Sequence, residues 1–412
     1  MSIYAKSLVA AGAIAAVCLA GGPASAKVEG DTITLGAAVS ATGKYSTNGK
    51  HTMNGYNLAV ERINEMGGVT VDGKSYKLEI IYYDDESTPA RGAQLAERLI
   101  NQDGIKFMLG PYSSGLTKAI APVTEKYGIP MVEGNGASRA IFAQGYKYVF
   151  GVLSTSEQYL SSAIDLAAEK ATQDGRKPQD VKVALAMEND PFSQDIRAGV
   201  IDNATAYGMK VIIDDKLPKE LNDMAATLTK VKAVKPDVLV VSGHSKGAAT
   251  AIKQIADMRV DVPILALTHC EAADVIGKFG AKADYTLCAT QWAETMSYRD
   301  DWFGSAADYA KDFEEKFGYA PPYQAAESTA SVLTYVDAFQ RAGSFDTGKV
   351  RDALAATEMQ TFYGNIKFDE TGKNIAKPMA LRQIQDGKLV VVAPAKWAAA
   401  EMIYPRPKWS ER

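Results

Sequence analysis

Short apolar runs alternate with amphipathic stretches along almost the whole chain. Ile33–Val39, Leu78–Asp84, Phe107–Gly110, Pro130–Val132 and Tyr148–Val152 are rich in β-branched or aromatic residues and read as strands. Helix-period segments lie between them. In Met53–Met66 the residues Tyr56, Val60, Ile63 and Met66 recur at three- or four-residue spacing, and similar stretches run over 90–102, 116–127 and 158–171. This alternation predicts a mostly parallel sheet covered on both faces. The pattern then starts afresh with strands at Val181–Met187, Val211–Ile213, Val238–Ser242, Ile264–Leu267 and Tyr285–Ala289, separated by helices near 192–207, 223–234, 248–258 and 272–279. The prediction is α/β: two doubly wound parallel-sheet lobes, joined near Leu153-Ser154-Thr155. The last third breaks the symmetry with helices over 306–317, 323–342 and 349–356. A hairpin follows, in which Met379–Ile384 and Lys388–Val392 flank Gln385-Asp386-Gly387. Such a tail need not form a third domain. Completing both lobes would make the chain cross between them more than once.

The N-terminus changes the address of the molecule. Lys6 precedes an apolar stretch from Leu8 to Ala20, and Ala24-Ser25-Ala26 supply small residues for cleavage. The stretch is shorter than the roughly 20 residues a bilayer requires, so residues 1–26 read as a secretory signal peptide cleaved after Ala26. Of the three cysteines, Cys18 leaves with it; its neighbour Val17 is too large for a lipidation site. Cys270 and Cys288 remain as an even pair in an oxidising compartment, open to a disulfide or to two buried thiols. Without a matching histidine cluster they do not suggest zinc. The 412 residues carry 45 basic and 49 acidic side chains, a net charge of −4 that lacks the basic footprint of a nucleic-acid binder.

Gly243-His244-Ser245-Lys246-Gly247 matches a nucleophile elbow and lies between a strand and a helix. A hydrolase would then need an acid and a histidine after Ser245 on later loops. Only His269 follows, and Asp257 and Asp261 fall on or at the end of the intervening helix. A secreted serine hydrolase using Ser245 is therefore a distant alternative, and small polar residues lining a cleft the preferred reading. Phosphate cradles are absent. The acidic run Asp84-Asp85-Glu86 reads as a solvated loop, with Ser87 or Thr88 capping the next helix. Three polar loops agree with one another: Ser40–Gly43, Tyr112-Ser113-Ser114-Gly115 and Asn135-Gly136-Ala137-Ser138 each follow a strand of the first lobe. Ligands gather at such strand ends, and hydroxyls beside a helix N-terminus make a seat for a carboxylate.

In order along the chain stand Ile33-Thr34-Leu35-Gly36, Thr42-Gly43, Gly49, Gly55–Asn64, Gly67-Gly68-Val69, Leu109–Ser114, Gly128-Ile129-Pro130, Tyr363–Asp369 and Gly372. With the signal peptide, this combination resembles the leucine/isoleucine/valine-binding protein family, the type I periplasmic receptors of ABC importers. The resemblance implies a periplasmic, monomeric, non-enzymatic receptor without cofactor or metal. It would capture a branched-chain-type amino acid or related small carboxylate between lobes and deliver it to an inner-membrane permease. It also implies three hinge crossings, placed near Leu153, Gln291 and Lys367. Lobe one is then 31–152 plus 292–366, and lobe two 153–290 plus 367–412. The carboxylate seat carries over to Ser114 with Ser113, and to Ala137 and Ser138. Tyr45 and Asn48 fall in the first loop, where a family aromatic touches the ligand, and Phe192 where lobe two supplies a tyrosine. Family members that bind α-amino acids hold the ammonium with an acid on lobe two. The matching strand end here reads Leu267-Thr268-His269-Cys270-Glu271, so the acid is either displaced to Glu271 or missing. His244 and Ser245 stand where some members carry a tyrosine. An aromatic or other organic carboxylate thus competes as ligand, with Phe192, Tyr112 and Trp292 as a flat wall. A sensory module on the same fold is a further rival.

Overall fold

The computed structural model describes residues 28–412; the signal peptide and its cleavage site lie outside them. Two seven-stranded sheets are present. The first runs, in spatial order, 69–71, 74–84, 32–39, 108–109, 131–133 and 149–151, with 28–29 paired to 32–39. It is parallel except at 69–71 and 28–29. The second runs 388–393, 380–385, 286–290, 264–267, 238–242, 182–188 and 210–217. Its last two strands in sequence pair antiparallel to 286–290 and to each other, so the C-terminal hairpin closes one edge. Strands such as Val238–Ser242 and Thr286–Thr290 are buried throughout, which is why they read as continuous apolar runs.

The helix Tyr323–Ala342 explains why the last third of the chain belongs to the first lobe. Every residue from Tyr323 to Val336 is buried. It packs on the helix Ser46–Glu65 so closely that a Cβ at Gly55 would stand 2.2 Å from the Ala325 carbonyl oxygen. Its hydroxyls return to its own backbone, Ser328 to Gln324, Ser331 to Glu327 and Thr334 to Ala330, which lets a polar helix sit in a core.

The chain passes between the sheets after Gly151, after Thr290, and a third time beyond residue 376. That third passage corrects the sequence expectation of Lys367. Residues 367–374 still bind the first lobe: Lys373 bridges to Gly151, and the Asn374 amide donates to Val152 O at 2.7 Å. Lys377 is tied to the first crossing, its carbonyl accepting from Ser154 Oγ at 2.6 Å. The acidic run is also corrected. Asp84 accepts hydrogen bonds from Ala41 N, Thr42 N and Thr42 Oγ1, and buried Asp85 accepts from Ser40 Oγ at 2.5 Å. Thr88 makes no side-chain cap, and Ser87 Oγ instead accepts from Tyr45 N. The acids hold the first loop in place.

Candidate ligand-binding cleft

Three helices begin at the cleft between the sheets without a side-chain cap: Ser114–Tyr127, Ser245–Asp257 and Tyr323–Ala342. Their first-turn N–H groups have no intrahelical partner, and their dipoles point positive ends at the same space. Residues of these first turns, Ser114, His244, Tyr323, Gln324 and Glu327, line one pocket together with Tyr112, Asn135, Tyr159, Phe192 and His269. Its volume is about 10 Å³, room for about one water. A larger ligand therefore enters only if the lobes part or Tyr112 swings away.

The pocket is roofed by contacts from one lobe to the other. The Tyr112 hydroxyl lies 2.7 Å from His244 Nδ1 and 2.8 Å from His269 Nε2. Ser245 Oγ donates to Asn48 Oδ1 at 2.5 Å. Aromatic rings pack around them: Tyr45 meets Tyr112 and His244 edge-on, and Phe192 stacks on His244 with centroids 5.7 Å apart.

The two histidines are pushed in opposite directions. Burial opposes charge on His244. The Asp190 carboxylate, 3.1 Å from Nε2, and Glu188 beyond it outweigh burial and hold the ring above the ordinary imidazole value. Burial likewise opposes charge on Asp190, but His244 and the Ser193 N–H hold its carboxyl low. His269, buried with charged His244 beside it, is pushed down to about 3 and is neutral. A proton count follows. In its protonated form, which Asp190 favours, His244 donates through Nδ1 to the Tyr112 oxygen. Tyr112, kept a neutral phenol by burial, donates onward to His269 Nε2. The remaining proton of His269 sits on Nδ1, which closes no hydrogen bond of normal geometry. Glu188, Asp190 and His244 offer ligand atoms within 4.8 Å of one another. Asp190 is ion-paired with His244, and Glu188 accepts from the backbone N–H groups of Glu220 and His244.

The sequence candidates fall into three groups. Ser114, Tyr112, Asn135, Phe192, His244 and His269 line the pocket itself. Tyr45, Asn48, Ser245, Ser113, Gly136, Ala137 and Ser138 support it. Ser114 Oγ accepts from Ser138 N at 3.0 Å, and a Cβ at Gly136 would stand 2.4 Å from Thr117 Oγ1. Ser113 adopts φ 137° and His269 φ 60°, strain held where two loops reach the pocket.

Two candidates lie elsewhere. Trp292 is fully buried in the first lobe, edge-on to Tyr309, with its indole N–H donating to Phe362 O; a large ring at a lobe crossing went to the core, not the cleft. Glu271 is ion-paired with Arg382 and accepts from Tyr323 N, and lies in a separate groove between the lobes. Cys270 and Cys288 are bonded, with Cα atoms 5.9 Å apart, which anchors the loop carrying His269. Ser245 hydrogen-bonds to no imidazole, so no triad forms among the described residues. Tyr159, Tyr323, Gln324 and Glu327 were not anticipated. Their signal was available: a run of small residues interrupted by Gln324, Glu327 and Ser328 inside a helix too apolar to be exposed.

Two lobes with three connecting passages, and a pocket made by strand-end loops and helix N-termini of both, define a closing solute receptor. The sequence model of the periplasmic binding protein family matches residues 32–388, and the chain belongs to that family, whose members are type I solute receptors and not enzymes. It is 24% identical to Leu/Ile/Val-binding protein homolog 7 of Brucella melitensis, over 97% of this chain and 100% of that protein. It is 25% identical to homolog 8 of Brucella abortus, over 90% and 92%. The fold matches the branched-chain amino acid transporter substrate binding protein LivJ from Streptococcus pneumoniae, solved with isoleucine. There the TM-score is 0.76 and the identity 23%, covering 91% of this chain and 100% of that one. It also matches an ABC transporter solute binding protein from R. palustris solved with benzoate, with TM-score 0.74 and 20% identity over 90% and 97%.

Proposed function

We propose that this protein is the periplasmic receptor of an ABC importer, acting as a monomer that captures a small organic carboxylate in the cleft and hands it to an inner-membrane permease. One observation carries the reading: three helix N-termini, none capped by the side chain of its own N-cap residue, converge on one buried pocket. A carboxylate placed there meets helix N-terminal N–H groups, the Ser114 hydroxyl, whose oxygen already accepts from Ser138 N, and His244, whose charged form Asp190 favours. The lobes part to admit the ligand. Closure then brings Phe192, His244 and His269 onto it and excludes water.

Two ligand types fit. A branched-chain-type amino acid is one. The aromatic walls of Tyr112, Tyr159, Phe192 and Tyr323 favour a flat aromatic acid as the other. A thermal-shift screen of amino acids and aromatic carboxylates tests the reading. A ligand at 100-fold over its Kd adds about 2.7 kcal/mol of stability, and X-ray scattering should show compaction on binding. If no carboxylate shifts the transition, the reading fails.

A further inference from the structure

Among the described residues lining the pocket, Glu327 Oε1, Asn135 Oδ1, both polar atoms of the Gln324 amide and His269 Nδ1 are buried without a hydrogen-bond partner. Neighbours orient Asn135 and Glu327, while the Gln324 amide is free to turn its oxygen to the pocket. The Ser328 hydroxyl donates to Gln324 O at 2.6 Å, so it accepts from Asn135 Nδ2 at 2.9 Å, and Asn135 is left with its carbonyl oxygen free. Glu327 is held at its other oxygen, where the Tyr363 hydroxyl lies 3.3 Å from Oε2. Gln324 and Glu327 sit three apart on one helix, so their side chains share a face.

Unpaired acceptors buried this deeply are costly unless something donates to them. A carboxylate or an apolar ring does not. An ammonium carries three N–H donors and no acceptor, and so can serve Glu327 Oε1, Asn135 Oδ1 and the Gln324 oxygen when that amide turns it inward, while the donor atoms of Gln324 and His269 are left for the carboxylate end. The acid expected to read such a group from the second lobe, Glu271, is already spent on Arg382.

We propose that Glu327, with Gln324 and Asn135, recognises the amino group of the ligand from the first lobe, so that the solute is an amino acid and Glu327 sets its specificity. This inference rests on the reading of the cleft as a carboxylate receptor and narrows it. Burial, with the Glu133 and Glu271 carboxylates nearby, favours the protonated acid at Glu327 over the opposing pull of Lys377 and the Tyr363 hydroxyl. Uptake of an ammonium therefore drives a proton off Glu327, and that proton leaves to buffer.

Calorimetry with matched probes decides the matter: L-leucine against 4-methylpentanoate, and L-phenylalanine against 3-phenylpropanoate. Wild-type protein should prefer the amino acid of the better pair by on the order of 100-fold, the scale of a desolvated ammonium contact. Its binding enthalpy should depend on the buffer's ionisation enthalpy. Glu327→Gln should reduce the preference below about tenfold and abolish the buffer dependence, mainly by losing affinity for the amino acid. Gln324→Leu, measured in parallel, should lower the preference by about tenfold and keeps the test open if the Glu327 variant does not fold. The proposal is overturned if both variants retain the full preference. It is also overturned, with the carboxylate reading intact, if wild type binds the des-amino acids equally well. Binding of neither probe type, nor of any acid in the screen, overturns both.

Discussion

At the hinge, Gln291 grips the first crossing at both ends. Its Oε1 accepts from Ser154 N at 3.1 Å and its Nε2 donates to Ser154 O at 2.8 Å. The Ser154 hydroxyl continues to Lys377 O at 2.6 Å, and Lys377 Nζ donates to Tyr363 O. All three passages are thus tied in one knot. Across the cleft, by contrast, Tyr112 meets His244 and His269 side chain to side chain, and Ser245 meets Asn48 likewise. Both regions are buried and both join the lobes. The difference is what holds them: the hinge binds backbone close to the pivot, where motion is small. The cleft uses side-chain tips far along the lever, where a rotation separates them. One region is built to persist and the other to break.

Gln291→Leu should be the most damaging change. It strands the Ser154 amide and carbonyl and takes a partner from the hydroxyls of Tyr159 and Tyr363, at a cost of about 3 kcal/mol or more in urea unfolding. The loss should be equal with and without saturating ligand once binding linkage is allowed for; a loss confined to one form would end the distinction drawn above.

Acid should weaken the cleft through one histidine. His269 is held below its unfolded value, so the unfolded chain binds a proton that the native state refuses. Stability falls as pH drops below about 6.5 and continues falling towards about 3. His244 has the opposite sign. Its contribution is complete below the unfolded value and is lost as pH rises through the raised native one. The partner Asp190 contributes above its unfolded value and loses that as pH falls through its depressed one. Relative to wild type, His269→Gln should therefore gain about 2 kcal/mol between pH 8 and pH 5. Urea titrations showing a constant gap would place the proton elsewhere.

Tyr112→Phe removes the bridging hydroxyl alone. The closed form should lose about 1 kcal/mol relative to the open one. Scattering would detect this as a larger radius of gyration without ligand, and an unchanged radius would mean the roof does not hold the lobes. Ser245→Ala should have the smallest effect, below about 1 kcal/mol on closure. Neither it nor wild type should turn over esters, and turnover lost in the variant would restore the hydrolase.

The fold was legible because both sheets are built from runs whose burial is complete or regular. Ile33–Val39 and Val238–Ser242 need no tertiary knowledge to read. The strand Lys210–Leu217 was seen only at Val211–Ile213, because as an edge strand its remaining residues are charged and partly exposed. The cleft was legible where function sits on strand-end loops, as at Ser114 and His244. It was hidden where function sits on a core helix, since Glu327 among small residues looks like a helix surface until the helix proves to be buried. Trp292 failed for the converse reason: a large aromatic at a crossing satisfies a core as readily as a ligand wall.

The C-terminal hairpin has a consequence for how the molecule comes into being. The inner strand 286–290 has no partner on its outer edge until 380–385 and 388–393 arrive, and the first lobe lacks its central helix until residue 342. A chain emerging from the ribosome therefore has no finished half to collapse into. Both lobes reach completion only with the last tenth of the sequence, so the chain's final stretch decides whether either core closes.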